Sequence, residues 1–374
     1  MYNNDFAIVL SGGGARGAYQ AGALRAIYEV CAEAGNFAPF RNLVGVSAGA
    51  INATYLAAEA DDLNRATERM CRMWRELTTK DVFRTDYVTV SRTALRVLRA
   101  VSLGGVAGSL RPSKLGLLNV EPLRDLLATH IEFPRIHSHI EENRLNSLSV
   151  TATDYSTAIG VTFFMGAPQL KEWKRVHRIG IREAIGIDHV MASASIPVFF
   201  PPWPVGKRHF GDGCLRNNTP LSPARKVGAS KIIVIGVRKQ KDESLSEANI
   251  VNPTLGRVLS VVLNALFMDA IEVDIERVRI INENLQIASK VENFRKIHIV
   301  HFQPSQAPAD LAEVRAEALP PMLRFLMSSL GSPRESAEIL SYLTFDPVYL
   351  NELVDLGYYD LMKQKEILIQ FLSV

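Results

Sequence analysis

Cysteine is scarce. The 374 residues hold three, Cys31, Cys71 and Cys214, an odd and widely spaced set. That excludes a disulfide-stapled scaffold, shows no zinc-ligand spacing and fits a reducing compartment. Long apolar runs are missing too. The longest apolar region, residues 258–268, contains Asn264 and is closed by Arg257 and Asp269, well short of the ~20 residues a membrane span needs. The start, Met-Tyr-Asn-Asn-Asp, leads into no basic and apolar signal pattern, so Sec export is not expected and a cytoplasmic location is. Export by a route that reads another signal stays open. Neither sign of charge dominates, since 42 Lys and Arg against 39 Asp and Glu leave +3. The placement of charge therefore matters more than its sum. What remains, 47% apolar and 22% charged, is ordinary globular composition, enough for one large domain with an appendage.

The first half alternates strand-like and helix-like segments. Residues 6–10 (FAIVL) form a short apolar run, as expected of a strand covered on both faces. A glycine turn breaks it. A helical pattern follows, with Ala21, Leu24, Tyr28 and Cys31 near one face and Gly35 as its stop. Residues 42–46 read as a second buried strand, 48–60 as a helix of small residues and 62–77 as another helix. Later strands are expected at 148–153, 160–165, 209–211, 231–237 and 297–302, and 255–289 reads as one long helix or two joined ones. This order predicts an α/β fold of three layers around a mostly parallel sheet. Residues 305–374 are Leu-rich and strand-poor, with ten acids against five bases. The division expected is a catalytic domain over 1–303 and a helical extension, 304–374, packed on it.

Between the first strand and helix stands Ser11-Gly12-Gly13-Gly14-Ala15-Arg16-Gly17. Gly12, Gly14 and Gly17 match the G-x-G-x-x-G of a dinucleotide site, with pyrophosphate on the helix N-terminus. Such a site wants an acid at the end of strand two, and here that strand ends in Gly45-Val46-Ser47. The same turn exposes backbone N–H groups with positive dipole character, which is the chemistry of an oxyanion hole. Plain structural use, as a tight turn without ligand, is the third reading.

Gly45-Val46-Ser47-Ala48-Gly49 is G-x-S-x-G between a predicted strand and a predicted helix, the context of a nucleophile elbow with Ser47 at its tip. Only one strand–helix unit precedes it, which does not suit an ordinary α/β-hydrolase. His298 and His301 would satisfy the chain order of a triad, but both lie in the apolar stretch 297–302, where a strand histidine with a satisfied partner is the blander reading. The alternative base is Asp212, in Gly211-Asp212-Gly213-Cys214 at the end of a predicted strand. A turn aspartate making an Asx bond accounts for that sequence equally well.

Taken together these blocks resemble the patatin-like phospholipases. The glycine block 12–17, the elbow 45–49, Ala194-Ser195-Ile196-Pro197 and Asp212-Gly213-Cys214 come in that family's order. Cys214 stands where the family usually has glycine or alanine. The resemblance implies a lipid acyl hydrolase with a Ser–Asp dyad and no histidine. Ser47 is then the nucleophile, Asp212 the base, and the Gly12, Gly13 and Gly14 amides hold the oxyanion. No metal or other cofactor enters, and the partner is a phospholipid or other lipid ester. Arg16 would orient the glycine loop or favour an anionic head group; a helix-start residue pointing to solvent is the plain alternative. A catalytically silent or activator-dependent binding module on the same fold is the competing function.

Two basic stretches bear on contact with an anionic membrane. Residues 84–114 carry six bases and one acid, with Arg92, Arg96 and Arg99 at helical spacing, as in an amphipathic lid or surface helix, or simply a solvated face. Residues 205–241 carry nine bases and one acid, Asp212; around a catalytic carboxylate they would draw in head groups and help keep it ionised. No recognition helix or aromatic stacking platform supports nucleic acid as a partner.

Overall fold

The computed structural model describes residues 6–35, 40–84, 116, 118–217, 220–239, 254–267, 269–287, 295–315, 317, 319–328 and 332–373. The basic helical spacing at Arg92, Arg96 and Arg99 lies outside them. Among the described residues one sheet holds ten strands: β1 Phe6–Leu10, β2 Asn42–Val46, β3 Ser147–Asp154, β4 Ile159–Gly166, β5 Trp173–Arg175, β6 Arg178–Arg182, β7 Trp203–Val205, β8 Arg208–Asp212, β9 Lys231–Ile235 and β10 His298–Phe302. The order is β10-β9-β1-β2-β3-β4-β6-β5, and its first five strands run parallel.

The pleat of β1 shows why the sheet is covered on both faces. Phe6, Ile8 and Leu10 enter one core, while Ala7 and Val9 enter a second. The second core is closed by Leu221, Ala224, Ile271 and Val278. The first takes the helices α1 Gly17–Glu33, α2 Ala48–Ala58 and α3 Leu63–Glu76. This is the expected three-layer α/β/α arrangement. The helix α2 is buried along its whole length, which its small side chains permit at close range. Asp62 caps α3 by accepting from the Arg65 N–H at 3.1 Å. Gly35, at φ +72, ends α1 as expected. Two helices, Leu255–Phe267 and Asp269–Ile287, occupy the stretch read as one or two.

The C-terminal segment is helical, as its composition suggests: Pro308–Glu313, Pro321–Ser328, Pro333–Leu343, Pro347–Lys363 and Lys365–Ser373. It does not rest loosely on the sheet domain. Where α1 crosses helix Pro347–Lys363, a Cβ on Gly22 would stand 1.9 Å from the Val354 carbonyl oxygen, and one on Gly357 2.0 Å from that of Tyr19. The two backbones touch through reciprocal glycines. Glycine to alanine inside a helix normally stabilises by about 0.5–1 kcal/mol. Here Gly22→Ala and Gly357→Ala are each expected to reverse that sign and cost roughly 2–4 kcal/mol, because backbone has to move apart. Urea unfolding of the two variants checks this, and a gain in either sinks it. Among the described residues no helix is long and apolar enough to cross a membrane.

Candidate functional site

Sheet register brings the sequence motifs together. Leu10 of β1 pairs with Gly45 of β2, so the glycine loop and the elbow leave the same edge side by side. A Cβ on Gly12 would stand 3.0 Å from the Ser47 Cβ. Along β3, β2 ends where Val46 meets Thr151, and β8, running the opposite way, begins its pairing one position on, where Asp212 meets Ala152. Two strands distant in sequence thus share one flank of β3 end to end. Their junction places Ser47 next to Asp212.

Ser47 has φ 55 and ψ −127, a backbone conformation that costs a non-glycine residue energy and points to function when it is held. It is held from both sides. Its carbonyl accepts from the Ala50 N–H at 2.9 Å. Its own N–H donates to Ser193 Oγ at 2.9 Å, and that hydroxyl donates to the Thr151 carbonyl at 2.6 Å. The tightness of the turn needs Gly49, where a Cβ would lie 2.3 Å from the Leu10 carbonyl oxygen.

Asp212 is fully buried. Its N–H donates to the Ser195 carbonyl, its carbonyl accepts from Thr153 Oγ1, and Oδ1 accepts from the Cys214 N–H, each at 2.9 Å. Oδ2 has no hydrogen-bond partner among the described residues. Burial pushes the carboxyl up to about 6, against the lowering influence of the Ser47 hydroxyl and the Cys214 amide. The Ser47 hydroxyl and the Cys214 side chain thus both act on this carboxylate. Among the described residues no cation contributes to this shift. The expectation that the bases of 205–241 help keep Asp212 ionised is corrected for the described ones: burial dominates, and Arg208 pairs with Asp154 at 3.1 Å.

The glycine loop is braced from beneath by a buried polar chain. Trp74 Nε1 donates to Asn52 Oδ1 at 2.8 Å, Asn52 donates to Gln20 Oε1 at 3.1 Å, and Gln20 Nε2 donates to the Ser11 carbonyl at 2.8 Å. Gly13 accepts the Arg16 N–H at 3.1 Å, closing the turn. Cys214 packs beside the loop, its Sγ 2.5 Å from where a Gly12 Cβ would be. Burial raises this thiol well above its usual range, and the neighbouring Asp212 adds to the rise. It is a neutral packing group, not a second nucleophile.

Arg16 does not reach solvent. It is 1% exposed and is bound by the C-terminal helix Pro333–Leu343 through Ser341 and Glu338. Of the two roles weighed for it, this placement suits the orienting of the loop. His298 and His301 lie on β10, with β9 and β1 between them and the elbow strand. The blander expectation for His301 needs correction. Its Nε2 has no partner among the described residues, and burial alone pushes it down to about 4, so it stays neutral. Ser193 was not singled out from sequence, although it lies three residues before the Ile196-Pro197 pair; only the fold shows that it locks the elbow. A cavity of about 480 Å³ beside Asn146, Trp173 and Lys226 opens at the start of β3, and neither Ser47 nor Asp212 lines it.

None of the curated proteins matches the chain. Among solved structures, VipD from Legionella pneumophila aligns at 13% identity and a TM-score of 0.41, covering 98% of this chain and 67% of its own. Human GIVD cytosolic phospholipase A2, in complex with methyl gamma-linolenyl fluorophosphonate, aligns at 12% and 0.46, covering 98% and 59%. The type III effector ExoU aligns at 14% and 0.37, covering 99% and 53%. The chain thus spans between about half and two thirds of the length of these neighbours. The family model for patatin-like phospholipase matches residues 8–225, which takes in the glycine loop, the elbow and Asp212, and the chain belongs to the patatin-like phospholipase family.

Proposed function

We propose that this chain is a lipid acyl hydrolase of the phospholipase A or lysophospholipase type. The observation that carries the reading is the meeting of a strained, held Ser47 with the buried carboxylate of Asp212, whose Oδ2 has no hydrogen-bond partner among the described residues. In the proposed reaction Asp212 takes the Ser47 hydroxyl proton as Oγ attacks the ester carbonyl. Charge that develops on the carbonyl oxygen is met by the amides of the glycine loop, Gly12, Gly13 and Gly14. Collapse expels the alcohol of the lipid, which leaves with the proton that Asp212 carries. Water then attacks the acyl-serine, giving up a proton to Asp212, and as the fatty acid leaves Asp212 passes that proton to Ser47 Oγ. The serine proton departs on the alcohol and a proton from water replaces it.

Ser47 is 2% exposed and Asp212 not at all, which favours a second reading alongside the first: the pair works only once a lipid surface or an activator has opened the way in. Fatty-acid release from mixed phospholipid vesicles, with EDTA present, tests the proposal. Wild type is expected to release fatty acid and Ser47→Ala none. Where neither does, a serine-directed fluorophosphonate decides: Ser47-dependent labelling supports the activator-dependent form, and its absence leaves a silent binding module.

A further inference from the structure

A loop of three glycines has no side chains to hold it, yet oxyanion donors act only when they are fixed in direction. Something outside the loop has to supply the constraint. The residue that leaves the loop is Arg16. Its N–H closes the turn onto the Gly13 carbonyl, so its backbone is part of the loop, while its side chain departs for the C-terminal segment. Nε and Nη2 both donate to the Ser341 hydroxyl, at 2.9 and 2.5 Å. Nη2 also forms an ion pair with Glu338. The guanidinium lies over the Tyr342 ring, 4.5 Å from its centre. Ser341 in turn donates to the Glu338 carbonyl at 2.5 Å, which orients the hydroxyl to accept from the arginine. A planar fork held by two acceptors and a ring face is fixed in direction as well as in charge.

The other flank of the loop meets the same helix. Gly14 has φ +55, and a Cβ there would stand 2.3 Å from the Tyr342 carbonyl oxygen. Ser341 is fully buried and Tyr342 nearly so. Tyr349 adds a brace from the next helix, its hydroxyl donating to the Pro308 carbonyl at 3.1 Å and to that of Ser341 at 3.4 Å. Glu338, Ser341, Tyr342 and Tyr349 lie well beyond the segment that the family model matches, which ends at residue 225.

We propose that Glu338, Ser341 and Tyr342 are positioning residues for the site: acting through Arg16 and against Gly14, they set the direction of the loop amides, so the C-terminal segment is a working part of the catalytic apparatus. The proposal rests on the reading of those amides as oxyanion donors. It differs from a general packing role because it predicts loss of transition-state binding without loss of substrate binding.

Ser341→Ala and Glu338→Gln are the variants, two independent ones so that poor folding of either leaves the other. Hydrogen exchange is followed in a peptide covering residues 11–17 and in one covering β1. Alongside, kcat and KM are measured on a soluble ester, with the affinities of a trifluoromethyl ketone, which forms the oxyanion, and of an ether analogue, which does not. The expected result is at least about tenfold faster exchange in 11–17 with β1 unchanged. With it come a kcat at least about tenfold lower, KM within about twofold and a matching loss for the ketone alone. Unchanged exchange in 11–17 overturns the proposal, and so does an equal loss for ketone and ether. If wild type neither turns over nor labels at Ser47, the hydrolase reading has failed, and exchange in 11–17 alone then decides whether the helix holds the loop.

Discussion

Asp212→Asn is expected to lower ester turnover by roughly a thousandfold or more and, at neutral pH, to raise the stability of the protein. Asparagine has the shape of aspartate and keeps the oxygen that accepts from the Cys214 N–H, so the fold has no reason to change. It has no means of taking the Ser47 proton. Residual turnover above the uncatalysed rate would come from the glycine-loop amides, which the substitution leaves in place. The gain in stability has a separate cause. A carboxylate enclosed without a cation is costly, and that cost is visible as the rise to about 6. Against an unfolded value near 3.9, that rise corresponds to roughly 3 kcal/mol that wild type forgoes above pH 6.

The sign follows from proton counting. Between about pH 4 and about pH 6 the folded state holds a proton on Asp212 that the unfolded chain has already lost. Folding is therefore helped by Asp212 protonation at low pH, and that help drains away as pH rises through the folded value. Below pH 4 wild type and Asp212→Asn should melt alike as far as this group is concerned. The gap should open up to about pH 6 and stay level beyond. Turnover by wild type should run the opposite way across the same window, rising with pH to a plateau as Asp212 becomes able to accept a proton. Thermal melts and turnover at half-unit steps from pH 4 to 8 check both limbs. A variant less stable than wild type at pH 7.5, or an activity with no acid limb near 6, would refute the assignment.

The parts of this site that were legible in the sequence are those built by short-range pattern. FAIVL before three glycines and NLVGV before a serine turn announce parallel strands with loops at one edge, and the parallel register of β1 and β2 does the rest. Asp212 was legible as a strand-end residue, but its meeting with Ser47 depends on β8 taking over the flank of β3 where β2 stops, which no local periodicity encodes. The hairpin of β5 and β6 and the short β7 went unread for a related reason. Trp173-Lys174-Arg175 is largely exposed, so pairing at the sheet edge holds it, and hydrophobic alternation leaves no trace. For α1 the sequence suggests one apolar face, whereas nearly the whole helix is buried, because a helix from the far end of the chain covers its second side. Arg16 is the extreme case: its acceptor lies 325 residues away. A conformational rule ties a residue to its neighbours, and nothing in Gly-Gly-Gly-Ala-Arg-Gly names Ser341.

Ser47→Gly is expected to abolish turnover as completely as Ser47→Ala while leaving the more stable of the two proteins. At φ 55 and ψ −127 the backbone of residue 47 sits where a side chain is strained, at an expense of about 1–3 kcal/mol for a residue other than glycine. Alanine keeps that strain. Glycine removes it, giving back roughly 0.5–1 kcal/mol through the greater freedom of the unfolded chain, so a net difference of about 1 kcal/mol in favour of Ser47→Gly remains. Both substitutions delete the hydroxyl beside Asp212, so the contribution of that contact cancels between them. Denaturant midpoints for the pair isolate the backbone strain, and a glycine variant no more stable than the alanine one would show that the strain is not there. With the expected outcome, Ser47 and Asp212 share one physical character. Each is held in a state that the folded chain would lower its free energy by leaving, one in backbone conformation and one in ionisation. The surrounding bonds from Ser193, Thr151, Ser195 and Cys214 keep both in place, as the proposed reaction needs: a nucleophilic oxygen fixed at the tip of its turn and a base poised near neutrality.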